Sequence, residues 1–141
     1  MKKTAFIALT LILGFSCKKD DNIISPISTT SVTNTLVSGT WKITYYWDTD
    51  HEETADYRDY AFTFGSGNNL TATKTGSTIT GTWTSISDDS KTKLILDFSA
   101  PASFVELSDD WHVIEITGNK IRLQDVSGGN GGTDYLTFEK N

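Results

Sequence analysis

From Gly39 onward the chain alternates apolar and polar residues with a period of two, and this constrains its fold more than any other feature. The first run sets Trp41, Ile43, Tyr45 and Trp47 on one side of an extended segment. Successive side chains of a strand point to opposite faces, so such a run reads as a strand with one face buried. The pattern recurs with Tyr60, Phe62 and Phe64 in phase, then Ile79, Gly81 and Trp83, then Leu94, Leu96 and Phe98. Clusters of Gly, Asn, Asp and Ser interrupt it at 65–69, 76–77, 88–90 and 118–119. Those residues adopt the backbone angles that tight turns need.

Eight strands follow: 39–47, 58–64, 70–74, 78–87, 91–98, 111–117, 120–125 and 134–139. No ten-residue helical stretch and no internal repeat is present. The segment 100–110 reads as a short helix or an extra strand. The strand at 111–117 holds two conflicting phases: one buries Trp111 and Val113 together with Glu115, the other buries His112, Ile114 and Ile116. Short strands joined by mostly tight turns predict an all-β, eight-stranded antiparallel up-and-down barrel, since closure removes open sheet edges. A two-sheet sandwich has the same periodicity and is the alternative.

The first 35 residues have a different character. Lys2 and Lys3 precede an apolar run from Ala5 to Phe15, too short to span a bilayer, and Ser16 precedes Cys17. This is the three-part form of an export signal over residues 1–16. Cys17 is the one cysteine of the chain, so no internal disulfide forms. Residues 17–35 read as the start of the mature chain and a flexible tether, rich in Ser, Thr and Asn, and 36–141 as the barrel domain. Net charge is −6, and about −8 without Lys2 and Lys3, an acidity that argues against binding nucleic acid.

The position of Cys17 resembles a bacterial lipobox, with Gly14 rather than an aliphatic residue three positions before the Cys. Lys18 to Asp21 resembles the short charged signal that sends some lipoproteins of Bacteroidota to the outer face of the outer membrane. The run 36–44 opening on Gly39-Thr40-Trp41, with Ala61 to Gly65, Gly81-Thr82-Trp83, Leu94 and Leu96, Trp111 to Thr117, Ile121 and Leu123, and Leu136 to Glu139, resembles the lipocalin-like lipoprotein domains of that group. The resemblance implies a calycin-type barrel on a palmitate-bearing anchor at Cys17, with Trp41 at the closed base under a basic residue from the chain end. Lys140 is the basic residue in that place.

In a meander the long loops 48–57, 100–110 and 126–133 all fall at the end away from the tether. If a pocket opens there, Tyr45, Trp47 and Tyr60 line it. A domain of about 105 residues with large aromatics favours a filled core over a cavity. The acids of the far end, Asp48, Asp50, Glu52, Glu53, Asp56, Asp109 and Asp110, lack the spacing of a calcium loop, so no metal is expected. No cofactor motif, nucleophile elbow or phosphate loop appears, and the chain reads as a non-enzyme. Two functions fit: an outer-membrane, surface-exposed lipoprotein binding a small apolar ligand, or an envelope protein with a solid barrel contacting protein or glycan through its distal loops and Tyr46, Trp47 and Tyr57. Sequence leaves the oligomeric state open.

Overall fold

The computed structural model describes residues 26–126 and 132–141. A helix, α1 (Thr29–Leu36), precedes β1 (Thr40–Asp48). A two-residue strand β2 (His51–Glu52) and a 3-10 turn (Thr54–Tyr57) lead to β3 (Ala61–Phe64), β4 (Asn69–Lys74), β5 (Ser77–Asp88) and β6 (Lys91–Asp97). A one-turn helix, α2 (Ala102–Val105), leads to β7 (Asp109–Ile116), β8 (Lys120–Val126) and β9 (Thr133–Lys140). The strands pair antiparallel in chain order, and β1 also pairs with β9. The result is a closed eight-stranded barrel, with β2 a short ribbon on β1.

The turns follow their residues. Asp89 and Ser90, both at positive φ, connect β5 to β6 in a two-residue hairpin. Gly76, at φ +74°, does the same between β4 and β5. Positive φ in such loops matches the twist of the flanking strands. Gly81 has a different role. A Cβ there would come within 2.5 Å of the Asp97 carbonyl oxygen, so only Gly lets β5 approach β6 this closely.

Two bulges decide which residues face inward. On β1, Ile43 pairs with Phe138 but Tyr45 pairs with Thr137, so Thr44 is an extra residue. The alternation therefore slips: Trp41 and Ile43 point in, and after the bulge Tyr46 does, at 2% exposure. Tyr45 and Trp47, expected inside, stand on the outer wall. On β7, Val113 pairs with Leu123 and Glu115 with Arg122, so Ile114 is extra. Trp111 and Val113 are buried before the bulge and Ile116 packs on the core after it. Both phases read from the sequence are in use, one on each side of Ile114, and Glu115 faces out.

The tether expected through Thr35 is corrected over its last part; the rest of it, with the export signal and Cys17, lies outside the described residues. Ser28 caps α1 by accepting from the Ser31 amide, while the Ser31 hydroxyl accepts from the Ser28 amide. Such reciprocal caps satisfy donors that a helix start leaves free. Val32 and Leu36, one turn apart, are fully buried against the barrel. The helix is rich in Thr and poor in strong helix formers, so packing holds it rather than propensity. The domain thus begins before Leu36: the Thr92 hydroxyl donates to the Ile27 carbonyl at 2.7 Å.

Candidate functional site on the outer wall

The interior is packed with side chains. Trp41, Phe62, Phe64, Phe98, Phe104, Trp111 and Phe138 are all at most 2% exposed. At the base, α1 closes the barrel, and the Trp41 indole donates to the Leu36 carbonyl at 2.9 Å. Lys140 Nζ lies 5.3 Å from the Trp41 ring centre, so the structure brings together the pair expected at the base.

At the far end α2 is a plug. Phe104 packs edge-on to Tyr57, Tyr60 and Phe98 at centroid distances of 5.5, 4.9 and 5.2 Å, and stacks on Phe62 at 6.1 Å. Buried polar tips then bind the backbone of this segment. The Tyr46 hydroxyl donates to the Glu106 carbonyl at 3.0 Å, the Tyr57 hydroxyl to the Ser103 carbonyl, and the Trp111 indole to the Leu107 carbonyl at 3.0 Å. Burial pushes both tyrosine hydroxyls well above their usual range, so they stay protonated donors. Tyr46 and Tyr57, expected as exposed contacts, are thus internal fasteners. Tyr60 is also buried, with Lys74 Nζ 4.4 Å from its ring centre.

The polar loops at this end are tied to one another. His51 is 2.6 Å from Asp50 through Nδ1 and 2.5 Å from Glu53 through Nε2. These hydrogen bonds, Asp50 first, raise its pKa. Asp109, Asp110 and Asp125 can bring one carboxylate oxygen each within 4.8 Å of one another. Lys93 already engages Asp110 at 2.5 Å and holds its carboxyl below the usual range. Surface acids of this kind are ordinarily solvated or paired, and these carry no argument for a metal.

The remaining concentration of chemistry is on the outer wall. Paired residues on neighbouring strands share a face. Register sets Tyr45 beside Thr137 and Thr137 beside Arg122, across β1, β9 and β8. A second row sets Trp47 beside Tyr135 and Tyr135 beside Gln124. Tyr45, Tyr135, Thr137 and Arg122 line a groove of about 300 Å³. Arg122 Nη1 is 3.0 Å from a Glu115 carboxylate oxygen, so the positive charge of the groove is locally neutralised. Of the three residues expected to line a distal mouth, Tyr45 and Trp47 come together outside the barrel, and Tyr60 is separate from them. Tyr135, Arg122 and Thr137 were missed. The alternation points to Tyr135 and Thr137, which fall out of phase with Leu136 and Phe138, although Thr137 is itself buried at 9% exposure.

No family model matches the sequence, and no curated protein matches it. Solved structures do. A DUF4847 family protein from Bacteroides vulgatus ATCC 8482 superposes with a TM-score of 0.52 over 78% of this chain and 97% of its own, at 18% identity. The shared feature is the fold, a closed eight-stranded antiparallel barrel. A lipocalin-like protein from Bacteroides uniformis ATCC 8492 aligns at 0.47 and 16% identity, covering 74% and 98% of the two chains. A protein from Bacteroides eggerthii DSM 20697 aligns at 0.44 and 21% identity, covering 72% and 97%. At such identities the likeness extends to fold alone.

Proposed function

We propose that this lipocalin-like barrel is a solid interaction module, held on the outer membrane by a lipid on Cys17 and contacting its partner through its outer wall. The observation that carries this is the α2 plug. Phe104 fills the distal end, and Tyr46, Tyr57 and Trp111 bind the backbone around it. A small apolar ligand in the interior requires that plug to leave its seat and four aromatic contacts to break. Anchoring draws on the apolar run before Cys17 and on Lys18 to Asp21 after it, which favour display on the cell surface. Acyl chains bind membranes by about 0.8 kcal/mol per buried CH2, so several on one Cys anchor firmly.

Native mass spectrometry of the mature protein, purified from its own host with detergent exchanged out, tests the solid barrel. The expected spectrum shows the acylated chain without a further small mass. A stoichiometric apolar compound released from the interior overturns the reading. For the anchor, Cys17→Ser moves the protein from the membrane to the soluble fraction; unchanged membrane association removes the lipid anchor from the proposal.

A further inference from the structure

The polar tips of the aromatic residues divide into two sets. Inside, Trp41, Trp83 and Trp111 donate their indole N–H to the carbonyls of Leu36, Gly65 and Leu107, and Tyr46 and Tyr57 donate to Glu106 and Ser103. Outside, Tyr45, Trp47 and Tyr135 occupy adjoining strands, and their tips meet no partner among the described residues. We propose that this outer-wall grid binds a neutral carbohydrate chain; the proposal rests on the interaction reading above and names the ligand class.

Ligand chemistry follows from the tips. A purely apolar ligand covering these rings would strand two hydroxyls and an indole N–H, at about 1–3 kcal/mol for each group left unpaired. A sugar ring offers a C–H face to each aromatic ring and hydroxyls to each tip. The Gln124 amide lies beside Tyr135 in its row and adds donors and acceptors suited to hydroxyl groups. Thr137, between Tyr45 and Arg122, is buried at 9% exposure and forms the floor of the other row.

Charge disfavours the anionic alternatives. Arg122 is the basic group of the groove, and Glu115 holds it at 3.0 Å. A phosphate or carboxylate ligand would sit beside that carboxylate within a chain of net charge −6. A hydroxyl ligand accepts from the remaining donors of Arg122 without that repulsion.

Among the described residues the other exposed apolar side chains, Val37, Ile86 and Val105, lie on other elements, and Val126, at the end of β8, borders the wall. β8 and β9 each pair on both sides, so these two strands of the grid offer no free edge for an added strand.

Native gel electrophoresis of the full chain in detergent, through gels containing amylopectin, yeast mannan, xyloglucan, galactomannan or barley β-glucan, tests the inference. At least one polysaccharide is expected to retard the wild type. Tyr45→Ala and Tyr135→Ala, which remove the two rings of the groove, should each weaken that retardation about tenfold or more, as expected for central aromatic anchors. Tyr135→Phe should weaken it less, since the stacking face is kept. Ile86→Ala, on β5, should migrate as wild type, and circular dichroism should show every variant folded. The inference is overturned if no polysaccharide retards the protein, if Tyr135→Ala is retarded as strongly as wild type, or if only a polyanion such as heparin acts. A protein photo-crosslinked at position 45 on cells, without any polysaccharide retardation, overturns the carbohydrate and leaves the interaction reading standing. An apolar compound held inside the barrel overturns that reading itself.

Discussion

Lys140 Nζ stands 5.3 Å from the centre of the Trp41 ring, and the two residues are direct partners across the β1–β9 pairing that closes the barrel. The same ammonium hydrogen-bonds the Ser38 hydroxyl at 2.9 Å, in the link between α1 and β1. One side chain thus ties the last strand, the first strand and the basal helix. Lys140→Ala should cost about 1–2 kcal/mol from the lost cation–π contact and hydrogen bond. Lys140→Arg, which retains the cation, should cost less. Guanidinium unfolding of both variants measures the difference.

Shortening the chain tests where the domain begins. A chain starting at Val37 removes Val32 and Leu36 from the core and takes away the carbonyl that accepts from the Trp41 indole. Each buried aliphatic contributes about 1.5–3 kcal/mol, and the stranded donor costs about 1–3 more. That is a large part of the stability of a small domain. Near-ultraviolet circular dichroism should show fixed aromatic packing in a chain starting at Pro26, and its loss in one starting at Val37.

Phe104→Ala should destabilise the protein by about 3–5 kcal/mol and leave a void among Tyr57, Tyr60, Phe62 and Phe98. Apolar voids in rigid cores stay dry and admit small apolar molecules. The folded fraction of this variant should therefore bind benzene or xenon where wild type does not, by calorimetry or xenon-shift spectroscopy. Phe104→Leu, which keeps much of the volume, separates loss of the plug from loss of the fold.

The two histidines should titrate on opposite sides of 6.5, their ordinary value. Hydrogen bonds to Asp50 and then Glu53 raise His51. Its stabilising contribution is therefore complete below 6.5 and disappears as pH rises through the higher folded value. Burial, then Lys91 and Lys93, lower His112. Its contribution is present above 6.5 and is lost as pH falls through the depressed folded value. Nuclear magnetic resonance titration of the ring protons resolves both inflections, and His51→Gln assigns the higher one.

The period-two pattern and the turn clusters were enough to locate all eight barrel strands, and Gly76 and Asp89–Ser90 turn where their residue types say they should. What the pattern does not carry is an inserted residue. Thr44 looks like any polar position of an alternating strand, so Tyr45 and Trp47 read as internal and Tyr46 as external. Register against β9 reverses all three. The conflict in β7 was a real signal of the same event, because no single phase can bury Trp111, Val113 and Ile116. In α1 the Ser and Thr content that suggests a tether hides two signs of a helix: the Ser28–Ser31 cap and the one-turn spacing of Val32 and Leu36.

Thr44 works as a gear tooth between the two faces of β1. With it, one strand supplies Trp41, Ile43 and Tyr46 to the core while Tyr45 and Trp47 remain free for the wall. Without the bulge, the distal half of the strand exchanges its inner and outer sets together. Substitutions can therefore retune either surface by itself, whereas losing the bulge trades them as a block. In this barrel, regular pairing through Thr44 would draw Tyr45 and Trp47 inward and turn Tyr46 out in a single step.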